Sequence, residues 1–129
     1  MKIMSFDLGK VSAWYCGGES TEFAIESLKN LYTTIKSLLY GYTPDIVIYP
    51  QPTRYYNVYR KHWQYIGIIN LVCEKMGITT IEVIDSTAKK VVLGNGRAKK
   101  AEIMEYFNEE SEHIADARMF EEWYVRSVK

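Results

Sequence analysis

A chain of 129 residues, 47% hydrophobic and 25% charged, can bury a real core without disulfides or a structural metal, and its length is that of one domain spanning residues 1–129. No run of about 18 apolar residues occurs, which excludes a membrane-spanning helix. The opening MKIMSF runs straight into an apolar strand without the layout of a signal peptide, so the expected location is intracellular.

Lys2–Phe6 reads as a strand that ends at Asp7-Leu8-Gly9. Val11–Cys16 reads as a second strand, Gly17-Gly18 as a turn, and residues near Thr21–Ala24 as a short third strand. Ile25, Leu28, Leu31, Ile35, Leu38 and Leu39 recur at three- and four-residue steps, which predicts an amphipathic helix ending near Gly41. Asp45–Tyr49 is a continuous apolar run of the kind a buried central strand needs, stopped by Pro50 and Pro52. Tyr65, Ile66, Ile69, Val72, Cys73 and Met76 mark a second helix closed by Gly77. A strand is expected over Thr79–Ile84, then helices over about Thr87–Val92, Ala98–Phe107 and His113–Val125. A hairpin-led sheet followed by alternating helices and strands makes a mixed α/β sheet with helices on its faces. Cys16 and Cys73 lack metal-type spacing and read as buried, reduced thiols.

Sixteen basic residues balance sixteen acidic ones, but not evenly along the chain. From Arg54 to Lys100 bases outnumber acids nine to three, and from Ala101 onward acids outnumber bases eight to three. A basic face and an acidic face can coexist on one domain, so a neutral sum does not exclude a nucleic-acid partner.

Four groups of residues could carry chemistry. Asp7 stands just past an apolar strand, where a carboxylate is held at the sheet edge and can be offered to a metal; an ordinary Asp-Leu-Gly turn is the plainer alternative. His113 and Asp116 are three apart, on one face of a helix, and could form half of a divalent-metal site. Lys89-Lys90 and then Gly94-Asn95-Gly96-Arg97-Ala98-Lys99-Lys100 form a basic glycine loop entering a helix, suited to phosphates, though without Walker spacing. Thr53–Trp63 interleaves Tyr55, Tyr56 and Trp63 with Arg54, Arg60 and Lys61, offering stacking surfaces and phosphate partners to nucleic acid.

In order and spacing, these pieces resemble the RuvC family of Holliday-junction resolvases, which have the RNase H-like fold. The resemblance runs over most of the chain. Asp7 in FDLG is similar to the family's first-strand aspartate. Lys89 and Lys100, bracketing VVLGNGRA, resemble two lysines that flank a Gly-x-Gly segment near the scissile phosphate. HIADA resembles the closing D-x-x-D or H-x-x-D pair, which gives His113 and Asp116 metal-site roles. The resemblance implies Mg²⁺- or Mn²⁺-dependent phosphodiester hydrolysis on four-way or branched DNA by a homodimer, in the cytoplasm of a bacterial or phage-type source. Asp7, His113 and Asp116 would hold metal, Lys89 or Lys100 would stabilise the phosphorane charge, and Arg54, Tyr55, Tyr56, Arg60, Lys61, Lys90, Arg97 and Lys99 would meet DNA.

The pattern departs from the family at one place. The family puts a glutamate at the end of the central strand, whereas DIVIYPQP puts Pro50 there, followed by Gln51. Proline offers no ligand atom; Gln51 offers a neutral amide oxygen, and Glu22 or Glu112 is a carboxylate that could take the place. A protein that binds junctions without cutting them is therefore the first alternative. A nuclease of the same fold acting on RNA or on branched replication intermediates is another. FDLGKVSAW also resembles the first phosphate loop of actin-like ATPases, but the chain is short for two such domains and Asp85-Ser86-Thr87 lacks the glycine of a second loop.

Overall fold

The computed structural model describes residues 1–52 and 59–127. A five-stranded sheet of order β3-β2-β1-β4-β5 is built from β1 (Ile3–Asp7), β2 (Val11–Cys16), β3 (Glu19–Ala24), β4 (Ile46–Pro50) and β5 (Thr79–Val83). The first three strands form an antiparallel meander, and β4 and β5 join β1 in parallel. Helices α1 (Leu28–Tyr42), α2 (Tyr59–Met76), α3 (Asp85–Leu93), α4 (Lys100–Phe107) and α5 (Glu112–Ser127) complete the mixed α/β architecture expected from the element order.

Alternation along the strands divides the core in two. Met4 and Phe6 of β1 and Val47 and Tyr49 of β4 face a cluster formed with Leu31, Ile35 and Leu39 of α1 and Ile66, Ile69 and Cys73 of α2. Ile46 and Ile48 of β4 and Val83 of β5 face a second cluster formed with α3, α4 and α5, through Ala88, Val92, Ile103, Ala115, Met119 and Phe120. The residues of β1 on this second face are Ile3, which packs on the cluster, then Ser5 and Asp7. The Ser5 hydroxyl donates to the Ala117 carbonyl of α5 at 2.5 Å, a buried bond that fixes the helix on the strand.

Boundaries differ from the sequence reading by a few residues. Ser27 caps α1 by accepting from the Asn30 N–H at 3.0 Å, so Ile25 lies outside the helix. That helix ends on Thr43 in a left-handed conformation rather than near Gly41. Pro50 is the last residue of β4 and pairs in register with Val83 of β5. Its missing N–H falls where the strand ends, and the Gln51 N–H takes up the ladder by donating to the Val83 carbonyl at 2.7 Å. Helix α3 starts at Asp85, two residues earlier than expected. Both cysteines are buried and free. Among the described residues no helix is long and apolar enough to cross a membrane.

Replacing Ser5 with alanine should lower stability by about 1 kcal/mol, the worth of one buried neutral hydrogen bond. Urea unfolding of Ser5→Ala with its slope unchanged checks this; no loss would mean that apolar packing alone seats α5 on β1.

Candidate active site

Parallel strands β1, β4 and β5 all end on one edge of the sheet, and a cleft of about 480 Å³ lies there. Asp7 enters it as the last residue of β1, still paired with Ala13 of β2. The chain then turns tightly: the Ser12 hydroxyl donates to the Gly9 carbonyl at 3.0 Å and accepts from the Gly9 N–H at 3.1 Å. This clamp holds the segment after Asp7 close to the strand end. Across from it, α5 supplies His113 and Asp116 from its first two turns.

Asp7 and His113, 106 residues apart in the chain, meet directly: the His113 Nδ1 lies 2.9 Å from Asp7 Oδ2. Burial is the main influence on Asp7 and pushes its carboxyl up, against the pull of His113 and Lys100. The hydrogen bond to Asp7 raises His113, with desolvation opposing and the charges of Asp7, Glu112 and Glu22 assisting. Burial and pairing thus push both groups toward their protonated forms. Asp116 is pushed up to about 7, by burial first and then by the negative charges of Asp7 and Asp85, with Lys89 and Lys100 pulling the other way.

Both lysines singled out in the sequence line the cleft, and each is already paired. Lys89 Nζ sits 2.6 Å from Asp85 Oδ2, one helical turn away. Lys100 Nζ sits 3.0 Å from Glu112 Oε1, which also approaches His113 Nε2 at 3.4 Å. The glycines between them have structural duties. Gly94 ends α3 at φ 78°, and a Cβ on Gly96 would come within 3.2 Å of the Ser86 carbonyl oxygen. The loop therefore folds back onto α3 and presents the two lysines from successive helices.

Gln51 lines the cleft beside Pro50. Lys90, Arg97 and Lys99 are exposed around the α3–α4 connection, and Arg60 and Lys61 are exposed in the first turn of α2. Arg54, Tyr55 and Tyr56 lie outside the described residues. Neither glutamate named as a substitute for Pro50 lines the cleft: Glu22 accepts from the Ser111 hydroxyl at 2.9 Å, and Glu112 stands at the rim, holding Lys100 and approaching His113.

Three polar residues of the cleft were given no place in it by the sequence reading: Lys10, His62 and Asp85. Asp85 follows an apolar strand just as Asp7 does, and that rule, applied twice, would have found it. His62 precedes the buried Tyr65, Ile66 and Ile69 at three-, four- and seven-residue steps, so the stripe of α2 already placed it inward. Its Nε2 is buried and has no hydrogen-bond partner among the described residues, and desolvation lowers its pKa.

No family model and no curated protein matches the chain. Two solved structures superpose on nearly all of it. A RuvC structure from Thermus thermophilus matches with TM-score 0.76 and 15% identity, covering 98% of this chain and 96% of that one. T. thermophilus RuvC in complex with Holliday junction substrate matches with TM-score 0.74 and 14% identity, covering 97% and 93%. The fold is RuvC-like. The RNase H-like class inferred from sequence order therefore stands, although identity is low.

Among the described residues, no three His, Cys, Asp or Glu side chains stand close enough together to hold a metal ion. The donor chemistry nevertheless fits a hard divalent cation. Asp7, Asp116 and Asp85 put carboxylate oxygens into one cleft, and Asp116 carries a repulsion that a cation would relieve.

The raised Asp116 carboxyl has a consequence for stability. The folded protein keeps a proton that the open chain releases between about pH 4 and pH 7, so this group's contribution falls as pH rises through that window. The contribution of His113, held above its ordinary value, is present below about pH 6.5 and is also lost as pH rises further. Asp116→Asn should remove the first loss and make the variant more stable than the parent near pH 8, by about 1–3 kcal/mol. Urea unfolding near pH 4 and pH 8 measures it; parallel losses in both proteins would show that Asp116 stays ionised in the fold.

Proposed function

We propose that this protein is a divalent-metal-dependent endonuclease that cleaves branched DNA, four-way junctions foremost, acting over residues 1–129 as one domain. The observation that carries the reading is the meeting of Asp7, His113, Asp116, Lys89 and Lys100 at one cleft of a RuvC-like fold. The neighbour solved with Holliday junction substrate supports the choice of DNA.

Asp7 and Asp116 would hold Mg²⁺ or Mn²⁺, with His113 completing the set and Gln51 offering a neutral oxygen from the β4 end. Bound there, divalent metal supplies an activated water and a counter-charge for the leaving oxygen. The imidazole of His113 must first give up part of its hold on Asp7, which ties metal binding to the protonation of both. Lys89 and Lys100 must likewise leave Asp85 and Glu112 to meet a phosphate, and a polyanion entering the cleft is what would draw them out. Exposed Arg60, Lys61, Lys90, Arg97 and Lys99, with Arg54, Tyr55 and Tyr56, would fix the arms of the junction by phosphate contacts and stacking. A homodimer would bring two clefts to two strands.

A second reading has its own observation: Pro50 brings no donor to the end of β4, as expected for a protein that binds junctions without cutting them. Cleavage of a labelled four-way DNA in Mg²⁺ and in Mn²⁺, beside a binding assay in Ca²⁺, separates the two. Asp116→Asn should abolish cleavage and leave binding intact or tighter, since a negative charge near phosphates is removed. Binding with no cleavage by the parent in either metal would establish the second reading.

Lys89→Ala and Lys100→Ala should each slow cleavage more than they weaken binding, because a lysine acting on the transition state shows in the rate. Single-turnover rates and salt-dependent affinities measured together check this. A loss confined to affinity and its salt slope would make both lysines phosphate contacts only.

A further inference from the structure

The end of β4 is the place where the cleft lacks a carboxylate, and its neighbour in the sheet supplies one. β4 pairs with β1 in parallel, Ser5 beside Ile48, and that register continued by two residues sets Pro50 level with Asp7. On the other side Pro50 pairs with Val83 of β5. Val83 faces the α3–α5 side of the sheet, and two residues on, at the start of α3, the chain delivers Asp85 to the same cleft as Asp7, Asp116 and Pro50.

We propose that Asp85 is a metal ligand of the cleft, taking from β5 the part that a carboxylate at the end of β4 would play. The inference rests on the metal-dependent reading given above.

Three observations converge on it. First, Asp85 lines the same cleft as Asp7 and Asp116, so three carboxylates from β1, α3 and α5 face one space. Second, Asp85 is not committed to capping: α3 has Ile84 at its N-cap with no side-chain cap bond, and among the described residues the Asp85 carboxylate pairs with Lys89. Third, His62 leaves a buried, unpartnered Nε2 in the wall of this cleft, among the described residues. The plainer account makes Asp85 an acid in the first turn of a helix, held by an i,i+4 ion pair, which stabilises by a few tenths of a kcal/mol and binds nothing. The two accounts differ on Lys89. If Asp85 is a ligand, Lys89 competes with the cation for it, and an Asp85 engaged on a cation frees the Lys89 ammonium for the cleft.

Mn²⁺ binding by the full chain decides between them, read from the electron paramagnetic resonance of free Mn²⁺ and by calorimetry, without DNA. Asp85→Asn should weaken binding by about tenfold or more, a loss on the scale of removing a group that supports a metal site. Asp85→Glu should recover most of it. Lys89→Met should tighten binding in the parent and have no such effect in the Asp85→Asn background. Melting curves without metal check that each variant folds, and if Asp85→Asn does not, Lys89→Met alone decides by tightening binding or leaving it unchanged. If Asp85→Asn binds Mn²⁺ as the parent does while Asp116→Asn binds weakly, Asp85 is not a ligand and the metal-dependent reading stands without it. If the parent takes up no Mn²⁺ at millimolar concentration, that reading falls and this one with it.

Discussion

Ser5 and Asp7 stand two residues apart on β1, so both face α5, and each is tied to it by a hydrogen bond. The Ser5 bond to Ala117 is buried and sets how the helix lies across the strand. One turn nearer the helix start, the same docking sets His113 against Asp7 and brings Asp116 into the cleft. Met119 and Phe120, fully buried against β4 and α3, hold the opposite end of the contact. The cleft is closed on one side by this helix, seated on that face. A slip of α5 by one residue would turn Ala115 and Ala117, which fit under it, into larger neighbours.

The electrostatics of the cleft follow from that geometry. Burial and like charge penalise ionised Asp7 and Asp116, and positive groups arrive from three directions to offset this: His113 from α5, Lys89 from α3 and Lys100 from the start of α4. Each of those cations is also held by a carboxylate of its own or of a neighbouring element. The result is a set of ion pairs in which a cation or phosphate that meets Asp7, Lys89 or Lys100 must exchange partners. Sites of this kind respond to pH and to metal together, because the same oxygens are claimed by protons, ammonium groups and ions.

Two chains that share about 15% of their residues share this fold over nearly their whole length. What this chain uses to build it is modest: a central strand β4 that is apolar on both faces, a β1 that is apolar toward α1 and α2, apolar stripes on α1, α2 and α5, and a tight turn after the first strand. Those requirements specify a class of side chain at each position rather than an identity. The chemistry-bearing residues at the strand ends are less constrained by packing, and the end of β4 shows it. Proline is accommodated there because the ladder resumes at Gln51.

The sequence by itself determined the element order, the mixed sheet and the two faces of its core, because hydrophobic periodicity is local and survives in the folded chain. It also marked Asp7, His113, Asp116, Lys89 and Lys100, since each stood in a short pattern whose backbone context could be read from its neighbours. Element ends were legible to within a few residues, and the errors lay where a cap or a ladder bond decided, at Ser27, Thr43 and Pro50. Only the tertiary structure decided who meets whom. That His113 takes Asp7, that Lys89 and Lys100 are already paired, and that Asp85 and His62 open into the same cleft depend on parallel register and helix docking. Those join residues up to 112 positions apart, and no local pattern in the chain encodes such a distance.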